Sequence, residues 1–147
     1  MLKVIKNSII VVLSTIGGVV AQLVGGWDAA LQVLIICMAV DYATGMIVAG
    51  VFKHSRKTEG GALDSRAGFK GLMRKVAVLL VVLIAAQLDN VIGGTFSRTA
   101  VILFFCANEG LSILENVGMM GVEYPKFLKN ALEALKDKGD NDAKSTD

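Results

Sequence analysis

The stretch Ala29–Phe52, AALQVLIICMAVDYATGMIVAGVF, decides what kind of molecule this is. It holds no Lys, Arg or Pro, and one acid, Asp41, stands near its middle. As a helix it is long enough to cross the hydrocarbon layer of a bilayer, which is roughly 30 Å thick and needs about 20 helical residues. Its Leu, Ile, Val and Phe residues favour insertion by about 3 to 6 kcal/mol, whereas a central Asp opposes it by about 2.5 to 3.5 kcal/mol. The balance predicts a spanning helix that carries one costly residue. Such residues ordinarily face a bundle interior or water.

Working outward, three further stretches have the same character: Ser8–Trp27, Val76–Ser97 and Thr99–Val117. The first has no charge, the third has Asp89 toward its far end, and the fourth has Glu109 inside it. Residues AVILMFWYC make up 54% of the 147-residue chain, and 16 glycines bring the apolar-plus-glycine share close to two thirds. A soluble globular domain has about 45–50%. Charged residues are 19% and the mean hydropathy is +0.61. A disordered chain is excluded and a water-soluble enzyme domain disfavoured, because a fold this small cannot hide so much apolar surface.

The net charge of +2 conceals a segregation along the chain. No cation lies between Lys6 and Lys53, and Arg98 alone lies between Lys75 and Lys126. The segment from Lys53 to Lys75 concentrates Lys53, Arg56, Lys57, Arg66, Lys70, Arg74 and Lys75 against only Glu59 and Asp64. Because cytoplasmic connections are enriched in Lys and Arg, four crossings place both termini and the basic loop 53–75 inside, with short outer turns near Asp28 and Gly93. A nucleic-acid patch is a less economical reading of that loop than an anchor on the anionic inner leaflet. A signal peptide competes for the first stretch, since Lys3 and Lys6 precede an apolar run and a Val19-x-Ala21 site. It would leave three spans in the same orientation.

Beyond the spans, Pro125 suits the first turn of another helix, with Phe127, Leu128, Ala131, Leu132 and Leu135 on one side. Residues 125–147 thus read as a cytoplasmic amphipathic helix followed, from Lys136, by a charged solvated tail.

The membrane carboxylates are the residues to examine for function. Asp41 belongs to a helically spaced stripe of Cys37, Gly45 and Ala49, with Thr44 beside it. Asp89 lies between Ala85 and Gly93, while Asn108, Glu109, Gly110 and Ser112 gather with Cys106 in the fourth span. Gly17, Ala21 and Gly25 repeat the spacing in the first. Small residues permit close helix approach, and polar ones hydrogen-bond across it. A buried polar clasp is the plain reading of each acid. A bare carboxylate is costly to desolvate, so Asp41 is expected to stay neutral in a compact bundle and to ionise as water enters. Asp41 and Asp89 also invite the idea of an intramembrane aspartyl protease, though four short spans offer little to enclose one. His54 reads as solvated, and Cys37 and Cys106 suggest neither a disulfide nor a zinc site. Neither a catalytic centre, a metal nor a cofactor is expected.

Three ordered strings carry a resemblance: AVDYATG at 39–45, RAGFKGLMRK at 66–75 entering a span that reaches QLD, and ANEGLSILENVGMMGVEYPKFLKNAL at 107–132. Together they resemble the phage lysis holins of the group that includes toxin-secretion holin-like proteins. The resemblance covers about Val33 to Leu135. It implies a homo-oligomer in the bacterial cytoplasmic membrane that opens lesions for a cell-wall hydrolase or toxin, without catalysis and without a required contact to that partner. By motif it points to Asp41, Tyr42, Thr44 and Gly45, to Gly68, Lys70, Gly71 and Lys75, and to Asn108, Glu109, Ser112, Glu115, Asn116, Gly121 and Pro125.

The expectation is an all-α membrane protein with four spans, or three if the first is removed, plus the C-terminal amphipathic helix. Asp41, Thr44, Gly45, Asp89, Asn108, Glu109 and Ser112 are its candidate oligomerisation or pore-lining residues. A small transporter or ion-channel subunit with polar intramembrane acids is the second reading, and a structural scaffold the third.

Overall fold

A computed structural model describes residues 1–144, with side chains through Asn141. The chain is an all-α multi-pass membrane protein. Four helices are long and apolar enough to cross a bilayer, and a fifth follows them. Helix α1 spans Leu2–Leu23, α2 spans Ala29–Ile47, α3 spans Ser65–Ile92, α4 spans Phe96–Met119 and α5 spans Lys126–Lys144. A π-helical turn, Val48–Phe52, extends α2, and Lys53 then closes it in the left-handed region at φ 53°.

Local chemistry sets most boundaries. Asp28 caps α2 by accepting from Leu31 N at 2.9 Å, and Asp64 caps α3 by accepting from Arg66 N at 3.0 Å. A carboxylate there satisfies an amide that has no intrahelical acceptor and suits the positive end of the helix dipole. Gly93, at φ 79°, ends α3 as a left-handed cap.

The core is shared by three helices. Leu31, Leu34 and Met38 of α2 meet Val82 of α3 and Ile102 and Cys106 of α4, with Val24 sealing the end nearest the turn between α1 and α2. Leu34, Val82 and Ile102 are fully buried. In a bilayer this contact is held by dispersion and by hydrogen bonds, since lipid tails are as apolar as Leu. Helix α1 stands apart and has no buried residue. Gly17 and Gly18 meet nothing within 4 Å, whereas Gly25, just past the helix, lies against Arg98. Its carboxyl end is tied to the bundle by Gln87 Nε2, which donates to Leu23 O at 2.8 Å.

Two features differ from the sequence expectation. The basic segment is a loop only as far as Asp64, and Arg66, Lys70, Arg74 and Lys75 stand on the opening turns of α3. The solvated tail expected from Lys136 is helical through Lys144, with 145–147 outside the described residues. The cause is packing: α5 folds back along α4, its most extensive neighbour. Leu132 lies over Gly110, and Gly139 is buried against Ala100 and Phe104. A Cβ on Gly139 would stand 2.9 Å from Ala100 O and 3.0 Å from Phe104 N, so only glycine permits this approach. Between these two contacts Lys136 donates to Asn108 Oδ1 at 3.4 Å and sits 5.4 Å from the Phe104 ring centroid.

This course carries α5 from the carboxyl end of α4 to within about two turns of its amino end. The far face of α5 exposes Lys129, Glu133, Asp137 and Lys138. Four ionisable residues at central depth in lipid would cost on the order of 10 kcal/mol, and the few leucines return only about 0.3–0.6 kcal/mol each. Alongside α4, that face requires water or protein rather than lipid.

Candidate functional site

Three of the spanning helices each send one ionisable side chain to a common point. Counted from the helix ends nearest the Asp28 and Gly93 turns, Asp41 of α2 and Glu109 of α4 lie about 18 and 20 Å along, and the Lys75 backbone on α3 about 26 Å along. The lysine stem reaches back along the bundle and brings Nζ to 2.8 Å from Asp41 Oδ2, and it donates as well to Glu109 Oε2. All three side chains are nearly buried, at 9–12% exposure. Two carboxylates share one ammonium, and the cluster carries an excess negative charge.

Asn116, buried two turns further along the same face of α4, completes the arrangement. Its Nδ2 donates to Asp41 Oδ1 at 3.2 Å and to Thr44 Oγ1 at 2.9 Å. Thr44 in turn donates to Val40 O at 2.8 Å. Gly45 lies under this contact, where a Cβ would stand 3.7 Å from Asn116 Nδ2. The small residue beside Asp41 therefore lets α4 approach with its amide in reach. Helix α3 thus gives Asp41 a cationic partner, Lys75, that the sequence of α2 could not reveal.

A cavity of about 310 Å³ opens from the cluster toward the basic connection. Asp41, Lys75, Glu109, Asn108 and Ser112 line its inner end, and Lys70 and Arg74 lie among its other lining residues. Tyr42 packs against α3 where Gly68 and Gly71 leave room for its ring. Of the candidate residues, Asp41, Gly45, Asn108, Glu109 and Ser112 are thus gathered on one cavity, with Thr44 one hydrogen bond away. Lys53, Arg56 and Lys57 belong to the connection itself. Lys75 is not simply an inner-leaflet cation, since its charge is spent on the buried acids.

Asp89 is elsewhere. Near the carboxyl end of α3 it accepts from Ser97 N at 2.8 Å and Arg98 N at 2.9 Å. Thr95, at the start of α4, makes no side-chain cap, so Asp89 caps that helix from its neighbour. Asp41, near the middle of the bundle, and Asp89, near the carboxyl end of α3, are therefore held by separate partners and do not share a proton across an aspartyl protease site. Beside Asp89, Arg98 reaches over the turn between α1 and α2. It bonds Asp28 Oδ2 at 2.7 Å through Nη1, and Gly26 O at 3.0 Å through Nη2, and its Nε donates to Val24 O. Hydrogen bonding to Arg98 holds the Asp28 carboxyl below the usual aspartate range. Gly25 makes this possible: at φ 90° its Cα faces the guanidinium, and a Cβ would lie 2.6 Å from Arg98 Cδ and Nε.

The sequence reading passed over Arg98 and gave Lys75 a different role. The available signal was arithmetical. Buried acids need cations, and Arg98 and Lys75 are the cations nearest to the charge-poor spans. Among the described residues, no group of three or more His, Cys, Asp or Glu is placed to hold a metal. Cys37 and Cys106 are free thiols. What the site offers is buried charge at membrane depth, next to a cavity of about 310 Å³.

A family model described as the bacteriophage holin family matches residues 18–137. An uncharacterized protein of Listeria monocytogenes is 36% identical over 132 residues, covering 89% of this chain and 89% of its own. An uncharacterized 14.9 kDa protein of Clostridium perfringens is 36% identical over 126 residues, covering 84% and 89%. A protein of Bacillus phage phi105 named a probable holin is 34% identical over 116 residues, covering 78% of each chain. No solved structure matches.

Proposed function

Because the chain belongs to the bacteriophage holin family, we propose that it assembles with copies of itself in the bacterial cytoplasmic membrane and opens lesions that let a cell-wall hydrolase or toxin out. Lys3, Lys6 and the basic connection lie inside and the turns at Asp28 and Gly93 outside, in keeping with the preference of Lys and Arg for the cytoplasmic face. The reaction is physical rather than chemical, a change of packing that needs no cofactor.

The observation that carries this reading is the Asp41–Lys75–Glu109 cluster. An uncompensated charge at membrane depth is expensive unless it meets water or a partner subunit. Here it borders a cavity, so a rearrangement that admits water along α2, α3 and α4 lowers its energy. Helix α1, with no residue buried inside the protomer, gives each copy a whole apolar helix for contacts with others.

Inducible expression with a co-expressed cytoplasmic cell-wall hydrolase tests the proposal. The expected result is abrupt loss of viability with release of the folded hydrolase. Ion flux without protein release would instead support a channel or transporter subunit, and neither effect would leave a scaffold.

A further inference from the structure

We propose that α5 lines the lesion: its position along α4 is the one it takes when water fills the assembly, and before that it lies on the inner surface of the membrane. The proposal rests on the holin reading and adds the element that faces the lumen. Three observations carry it.

The first is depth. The contacts Leu132 on Gly110, Lys136 on Asn108 and Phe104, and Gly139 on Ala100 follow α4 in antiparallel order. Helix α5 therefore occupies the same layer as a helix that spans the bilayer. The second is polarity. Lys129, Glu133 and Asp137 recur at helical spacing on the exposed face, and Lys129 and Glu133 pair at 3.7 Å. Such a face is intolerable against lipid at that depth but suited to a water-filled lumen. The third is fit. Gly139 costs helix propensity, and in a solvated tail it would serve no purpose. Here it is buried and allows backbone-to-backbone approach near the outer end of α4. A protomer alone in lipid cannot keep α5 in this groove; an assembly enclosing water can. The same amphipathic helix, lying in the interface with Phe127, Leu128 and Leu135 toward the lipid, is the alternative resting place that its sequence allows.

The test is a distance measured by pulsed electron spin resonance. Spin labels are placed on Thr99→Cys and Asn141→Cys in the full chain carrying Cys37→Ser and Cys106→Ser, diluted with unlabelled protein. The vesicles are phosphatidylethanolamine and phosphatidylglycerol, at one protein density that releases an entrapped fluorescent protein and one that does not. Docked, the labels lie within about 20 Å, given helix axes 8–10 Å apart. With α5 on the inner surface, the length of α4 separates them by about 30 Å or more. The short distance is expected only in releasing vesicles. Gly139→Leu should keep the long distance and lower release at least tenfold, and Gly139→Ala should lower it too, although alanine favours the helix. A long distance in releasing vesicles overturns the role of α5 and leaves the holin reading standing. A short distance at both densities overturns the movement. No release at any density overturns the holin reading, and this proposal with it.

Discussion

Lys75 Nζ lies 2.8 Å from Asp41 Oδ2 although 34 residues separate them, and the same ammonium also donates to Glu109. The lysine stands where the basic connection has become helix α3, and its stem carries the charge back into the bilayer. Long cationic side chains near helix ends usually extend toward water. This one extends the other way, because two acids wait for it.

Lys75→Met strands both carboxylates, and breaking a buried pair by removing one partner costs about 3–5 kcal/mol. The expected result is a lower melting temperature in detergent and poor accumulation in the membrane. Adding Asp41→Asn and Glu109→Gln removes the stranded charges and should restore most of the stability, since a neutral replacement of a buried ionic group is often tolerated. Thermal unfolding of the single and triple variants decides it, and equal melting of Lys75→Met and the parent would remove the cluster from the list of structural devices.

Asp41→Asn leaves Lys75 paired one-to-one with Glu109 and keeps an acceptor for Asn116. Folding should be nearly unaffected, but the excess charge disappears. A unit charge crossing the whole membrane field changes energy by about 2.3 kcal/mol per 100 mV, so one at half depth contributes roughly 1 kcal/mol per subunit. Summed over an assembly, its loss should shift the time of lysis and blunt the response to depolarisation. Lysis curves with and without an uncoupler measure both, and unchanged timing would show that the cluster only holds the fold.

The spans were legible because length and apolar run report directly on the bilayer; α2, with one acid at mid-depth, could be read without any neighbour. What could not be read was the partner of that acid. A residue's cost is local, but its compensation comes from whichever helix the packing brings alongside. Lys75 therefore looked like the last cation of a loop, and Arg98 like a stray outer charge. Asp89 shows the same limit, since its distance from the outer end was visible but the bare amides of α4 that it caps were not. Helix α5 was legible as amphipathic, whereas its course along α4 depends on Gly139, a residue whose meaning exists only in contact with Ala100 and Phe104.

The outer clasp predicts a pH response. Asp28 has a carboxyl held below its ordinary range by Arg98. A group whose folded pKa is depressed adds stability that is present above the unfolded value, about 3.9, and lost as pH falls through the folded one. Stability should therefore be flat from neutral pH down to about 5, with a loss on further acidification that Asp28→Asn lacks. Half of the Asp28 side chain is exposed, so the effect is small, at most about 1 kcal/mol. Melting curves of the two proteins across this range make the comparison.

Gly25 and Gly26 both have positive φ, at 90° and 98°, but only Gly25 faces Arg98. An alanine at either position costs roughly 1–2 kcal/mol in backbone strain. At Gly25 the added Cβ also collides with the guanidinium arm, so Gly25→Ala should destabilise more than Gly26→Ala. The excess should vanish in an Arg98→Ala background, and a four-way comparison of melting temperatures tests it. Equal effects in the presence of Arg98 would mean that the arm yields freely.

Asp89 offers a test of structure against chemistry. If it serves as the cap of α4, then Asp89→Asn should cost less than Asp89→Ala, because the amide keeps one acceptor oxygen for Ser97 N or Arg98 N and loses the other, whereas Asp89→Ala loses both and should cost about 0.5–2 kcal/mol. A residue needed for its charge would give the opposite pattern, with Asn as harmful as Ala. Hydrogen exchange at the amides of Ser97 and Arg98 reports on the cap directly: protection should survive at one of the two in the Asn variant and fall at both in the Ala variant. Lysis assays on the same pair then separate a helix that starts correctly from a carboxylate that takes part in triggering.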